Sequence, residues 1–224
     1  MAARQAGDPE ANQALGELCG VYWYPIYAFI RRMGNSTSDA EDLTQEFFTR
    51  FLEKHHVVQA DPEKGRFRSF LLTSVKHFIA DQEDRRLAKR RGGRANAVPL
   101  NIEDAEKWYG RQFSTAETPE LLFEREWAFT LIRRASDRMA LAFAREGRSD
   151  YFNHLKAFLP GNHAPDTIAE VANRLGMSES AVKVAVHRLR HRFGETFRAE
   201  ISLLVSDPEL VNDEIRNLLN VLRN

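Results

Sequence analysis

The chain has 224 residues, 43% of them hydrophobic, with Lys plus Arg balancing Asp plus Glu at 32 each, so its formal charge is zero. That length and apolar content exclude a disordered chain and suffice for one large or two small cores. A single cysteine, Cys19, excludes an internal disulfide framework or a multi-cysteine zinc site and reads as a small core residue.

Nearly all of the sequence carries helical periodicity, so the expected class is all-α. A first segment places Leu15, Leu18, Tyr22, Ile26, Phe29, Ile30 and Met33 at helical spacing, is kinked or restarted at Pro25, and closes at Gly34. Ser38 and Glu41 stand at capping-box spacing and are expected to open a second helix that runs to about Lys54. This helix has two apolar faces: Leu43, Phe47 and Phe51 on one, Phe48 and Leu52 on the other beside Glu41, Asp42, Gln45 and Glu46. One core cannot bury both, so the second face is either sandwiched within the fold or offered to another protein.

The turn-like DPEKG at Asp61 to Gly65 precedes a long helix from Phe67, with Phe70, Leu71, Val75, Phe78 and Ile79 in register. It runs into RRLAKRRGGR, Arg85 to Arg94, which holds six basic residues and no acid, and Gly92 and Gly93 are expected to end it. Glu103 to Glu126 then holds seven acids against three bases. With its weak periodicity, Ala95 to about Phe123 reads as a linker. Basic patches separated by an acidic connector suggest two nucleic-acid contacts.

A second helical domain is expected to begin with Trp127, Leu131, Ile132, Met139 and Leu141 and to pass through the irregular PGNHAPD. TIAEVANRLGMSESAVKVAVHRLRHRF, Thr167 to Phe193, then reads as two helices joined by a tight turn, the second strongly basic. Thr167 and Glu170 form a capping box, Gly176 suits the left-handed geometry of a helix end, and Ser178 caps the next helix. Val182, Ala185, Val186, Leu189 and Phe193 cluster inward, leaving Ser180, Lys183, Val184, His187 and His191 outside, flanked by Arg188 and Arg190. Short polar groups suit base edges and arginines suit phosphates, so the pair is expected to be a DNA-reading helix-turn-helix. The tail after Pro208 carries Leu210, Val211, Ile215, Leu218, Leu219 and Leu222 at helical spacing and is expected to dock on the second domain.

Catalysis finds little support. Asp39, Asp42 and Glu46 could hold a metal as in a DNA-processing enzyme, but acids in a first helical turn stabilise it through the dipole, and no further ligand or positioned base can be named. His187 and His191 stand at i and i+4 without the glutamate of HExxH. A homodimeric regulator that binds operator DNA without polymerase is the stronger rival. No cofactor is expected. Nothing is apolar and long enough to span a bilayer, and MAARQAGDPEANQ lacks a signal-peptide core, so a cytoplasmic protein without membrane insertion is expected.

Three strings in order resemble bacterial sigma-70 family RNA polymerase sigma factors, specifically the extracytoplasmic-function (ECF) group. DAEDLTQEFFTRFL, Asp39 to Leu52, resembles the sigma domain 2 helix that grips the polymerase β′ clamp. FRSFLLTSVKHFIADQEDRRLAKRR, Phe67 to Arg91, is similar to the segment that captures the -10 promoter element, and the Thr167 to Phe193 pair resembles the domain 4 reader of the -35 element. The resemblance implies polymerase contacts at Glu41, Asp42, Gln45, Glu46, Phe48 and Leu52. It implies -10 contacts at Lys76, His77, Arg85, Arg86, Lys89, Arg90 and Arg91, and -35 contacts at Ser180, Lys183, Val184, His187, Arg188 and His191. It further implies core polymerase (β′ clamp and β flap) and promoter DNA as partners, with an anti-sigma factor or other regulator as a further candidate. The expected organisation is a sigma domain 2-like unit over 1–96, an acidic flexible linker over 97–123, a sigma domain 4-like helix-turn-helix over 124–199, and an amphipathic extension over 200–224.

Overall fold

The computed structural model describes residues 9–53, 66–88, 117–161, 166–205 and 207–223, without the side chains at 9–15, 18, 52, 53 and 85–88. The described residues are helical and include no strand. The expected DPEKG turn, most of the linker, the basic cluster from Lys89 to Arg94 and most of PGNHAPD lie outside them. The helices are α1 (Pro9–Arg32), α2 (Thr37–Glu53), α3 (Phe67–Ala88), α4 (Pro119–Arg145), α5 (Ser149–Leu155), α6 (Ile168–Leu175), α7 (Glu179–Ser202) and α8 (Val211–Arg223). The chain divides into two compact units, Met1–Trp127 with Val221–Asn224, and Ala128–Asn220.

In the first unit α1 continues through Pro25 rather than restarting there. Proline interrupts one ladder hydrogen bond, that to the carbonyl one turn back, and the fully buried Tyr22, Ile26, Phe29 and Ile30 on either side keep the segment helical. The helix ends at Gly34, φ 95°, where Asn35 Nδ2 donates to the Ile30 carbonyl at 3.0 Å. α2 then opens two residues earlier than the sequence suggests. Its cap is Ser36, whose Oγ accepts the Asp39 amide at 3.1 Å and donates to the Asp39 carboxylate at 2.8 Å. Ser36 is the first hydroxyl after the turn and meets the third helical amide, so Ser38 falls inside the helix.

Leu43, Phe47 and Phe51 of α2 face a core shared with Leu71, Val75, Phe78 and Ile79 of α3, where Phe47 meets Phe78 edge-on at 5.6 Å. The start of α4 completes this core. Leu122, Phe123 and Trp127 are buried, and Trp127 stacks on Tyr22 at 6.0 Å. Arg68, 2% exposed, lies over the Trp127 ring at 4.6 Å and donates from Nε to Glu124 Oε2 at 2.5 Å. Helix therefore begins at Pro119, within the segment expected as linker.

The second unit packs Met139 and Phe143 of α4 and Phe152 and Leu155 of α5 against Val171 and Ala172 of α6 and the inward face of α7. Leu141, among the residues expected to begin this domain, is exposed on α4. A buried carboxylate, Glu200 of α7, is clamped by Arg134 Nε at 3.1 Å and Arg138 Nε at 2.7 Å. On α8, Val211 and Leu218 are buried while Leu219 is exposed, and Arg198 of α7 donates to Asn212 at 2.7 Å.

Candidate functional site

Local chemistry sets the geometry of the α6–α7 pair. Thr167 Oγ1 accepts the Glu170 amide at 3.3 Å, and the Glu170 carboxylate accepts the Thr167 amide at 2.7 Å, a reciprocal capping box. Donation from the Thr167 amide, and from the Thr167 hydroxyl to Oε2 at 3.0 Å, holds the Glu170 carboxyl below its ordinary value. Gly176 ends α6 with φ 63°, the left-handed conformation glycine adopts without a Cβ penalty. Ser178 caps α7 by accepting the Ala181 amide at 3.2 Å. With Val182, Ala185, Val186, Leu189 and Phe193 all buried, the orientation of α7 about its axis is fixed.

That orientation leaves Ser180, Lys183, Val184, His187, Arg188 and His191 all exposed, at i, i+3, i+4, i+7, i+8 and i+11 along one face. Lys183, His187 and Arg188 make no ion pair among the described residues, while His191 Nδ1 lies 3.6 Å from Glu195. Arg190, expected on the DNA face, instead donates to the Phe158 carbonyl at 3.0 Å. Arg192 pairs with Glu146 at 2.9 Å and covers the Phe143 ring at 4.7 Å. A fixed arginine fork readily satisfies a nearby carbonyl or carboxylate, a choice that spacing alone does not reveal.

In the first unit the α2 residues fall in different environments. Asp42 is exposed, and Glu41, Gln45 and Glu46 are half-buried. Burial first, then the neighbouring Asp42 charge, raise the Glu41 carboxyl above its ordinary value. Gln45 Nε2 donates to Glu41 Oε1 at 3.5 Å, and Glu46 pairs with Arg50. Phe48 is buried, 7% exposed, with its ring edge-on to Phe47 at 5.5 Å. Of the two fates open to the second apolar face, burial within the fold is what Phe48 shows. Leu52 lies on α2, its side chain outside the described residues.

On α3, Lys76 and His77 are exposed, and Lys76 Nζ pairs with Glu120 Oε1 at 2.6 Å. Asp81, Glu83 and Asp84, also exposed, separate them from Arg85 and Arg86. The side chains of Arg85 and Arg86, and all of Lys89, Arg90 and Arg91, lie outside the described residues. Sequence reasoning passed over two residues here. Glu120 falls in the segment expected as linker, and Tyr151, in the amphipathic SDYFNHL of α5, lines a pocket with Val184 and Arg188.

Asp39 bonds Ser36 and Glu46 pairs with Arg50, and among the described residues no group of three His, Cys, Asp or Glu could hold a metal. No helix among them is long and apolar enough to cross a membrane. Cys19 is half-buried, and burial pushes its thiol up to about 11, away from a reactive thiolate.

No curated protein and no solved structure matches the chain. One family model does, that described as Sigma-70 region 2, over residues 24–94. The match spans the end of α1, all of α2 and all of α3, the helices that carry the candidate residues from Glu41 to Arg86, and it makes this stretch similar to region 2 of sigma-70 factors.

Proposed function

We propose that this chain is an ECF-group sigma factor that binds core RNA polymerase and directs it to promoters through -10 and -35 elements. Polymerase docks on the strip of α2 formed by Glu41, Asp42, Gln45 and Glu46, with Leu52 as its apolar part and the buried Phe48 supporting the strip from within the fold. This strip meets the β′ clamp, while the second unit lies at the β flap. Lys76 and His77 of α3, followed by Arg85, Arg86, Lys89, Arg90 and Arg91, take the -10 element. The α6–α7 pair is a helix-turn-helix whose outward face, Ser180, Lys183, Val184, His187, Arg188 and His191, enters the major groove at the -35 element. The protein acts in the cytoplasm, performs no covalent chemistry and leaves after initiation. An anti-sigma factor is a candidate regulator. The domain plan is a polymerase-binding and -10 unit over 1–96, a connector over 97–123, a -35 unit over 124–199 and an extension over 200–224.

One observation carries the reading: six exposed residues share one face of a capped, core-anchored helix in a chain that also matches Sigma-70 region 2. An operator-binding homodimer would use the first feature and leave the second without a role. The test is reconstituted transcription with core polymerase on a promoter library. Promoter-specific transcripts that require this chain, and that Asp42→Ala, Gln45→Ala or Arg188→Ala reduces by tenfold or more without loss of fold, are expected. Transcription indifferent to the chain, or operator binding as a dimer without polymerase, would overturn the reading.

A further inference from the structure

Among the described residues of α7, Val184 is a large apolar side chain left at the surface, 49% exposed, in a face otherwise made of hydroxyl, imidazole and cationic groups. Its neighbours make this more than a stray valine. A pocket of about 360 Å³ opens beside it. Met177, Ala181 and Val184 supply apolar lining, Ser180 and Arg188 supply polar lining, and Tyr151 reaches in from α5. Arg148 lies over the Tyr151 ring at 4.5 Å, which holds that wall in place. The surrounding charge is cationic, with Lys183 and Arg188 free of ion pairs among the described residues.

A partner for such a pocket must bring a small apolar group on a polyanion. In a major groove the edges of guanine, cytosine and adenine present donors and acceptors, and only thymine adds a methyl group. We infer that the Val184 pocket receives the C5-methyl edge of a thymine in the -35 element. Ser180 and Arg188 lie one turn to either side of Val184, about 12 Å apart along the helix axis, and fix the DNA around that base. The inference rests on the proposed -35 role of α7 and adds to it the identity of one base and the residue that reads it.

Thymine and uracil differ by that methyl alone, so the test is atomic. A promoter selected by the holoenzyme is resynthesised with each -35 thymine replaced singly by deoxyuridine, and holoenzyme affinity is measured by competition. One position should bind about fourfold more weakly, the factor expected for one buried carbon. Val184→Ala, a surface change, should erase the difference at that position while leaving sensitivity to guanine or cytosine changes elsewhere. Equal affinity for thymine and deoxyuridine at every position would overturn the inference while leaving the sigma reading intact, as would a deoxyuridine effect unchanged in Val184→Ala. If the pocket instead holds a protein segment, every thymine position is indifferent to the methyl. A holoenzyme without promoter preference would overturn the -35 role itself.

Discussion

Lys76 Nζ of α3 lies 2.6 Å from Glu120 Oε1 in the first turn of α4. The lysine proposed to meet the -10 element therefore already has an anionic partner within the same unit, and its hydrogen bond is the first cause that holds the Glu120 carboxyl below its ordinary value. Both side chains are 45% exposed, so solvent screening keeps the pair below about 1 kcal/mol. Glu120→Gln should leave urea denaturation nearly unchanged and strengthen holoenzyme binding to a -10 single strand severalfold. Unchanged binding would show that Lys76 does not meet that strand.

Arg68 behaves differently because it is buried. Glu124→Ala removes the carboxylate beside a guanidinium only 2% exposed, and stranding such a charge costs about 3 kcal/mol. Arg68→Met retains packing against Trp127 while removing the charge and should cost clearly less. Urea midpoints for the two variants check the order.

Phe48 and Gln45 should separate folding from docking. Phe48→Ala deletes a buried ring and should cost about 3–5 kcal/mol, so lost transcription in that variant reports an unstable fold as much as a lost contact. Gln45→Ala, half-buried on the same strip, should retain the thermal midpoint within a few degrees and still fail in polymerase pull-down.

At Gly176 a Cβ would meet nothing within 4 Å, so the cost of Gly176→Ala lies in the backbone conformation alone. It should be about 1 kcal/mol, with Gly176→Asn cheaper because asparagine enters the left-handed region more readily. Thermal unfolding of the three proteins gives the comparison.

The acidic limb of the stability curve should carry two opposing contributions. Depressed folded-state values at Glu120 and Glu170 give stability that is present above the ordinary carboxylate value and lost as pH falls through the lower folded values. Glu41, raised, acts oppositely: as pH rises from the ordinary value through its folded value, its contribution falls. Since burial is the first cause there, Asp42→Asn should lower the Glu41 midpoint only partly, leaving it above the ordinary value in a carboxyl NMR titration.

The parts of the fold legible in the sequence are those whose causes are local. Thr167 and Glu170, Gly176 and Ser178 each act within four residues, and the structure realises all three devices. The inward and outward faces of α7 follow from periodicity for the same reason. The start of α4 was hidden because its partners are remote: Glu120 meets Lys76, Glu124 meets Arg68, and Trp127 meets Tyr22. Phe48 was ambiguous because a second apolar face looks alike whether the fold or a partner covers it.

α7 carries four arginines, and three of them hold the protein together: Arg190 on the Phe158 carbonyl, Arg192 on Glu146 and Arg198 on Asn212. Only Arg188 and Lys183 remain on its outer face to displace condensed counterions from a duplex. Since the logarithm of DNA affinity falls with the logarithm of salt at about -0.9 per neutralised phosphate, this helix alone would give a slope near -2. Such a shallow dependence means that α7 by itself adheres only weakly to non-specific duplex, so any strong grip on DNA has to come from contacts outside this helix.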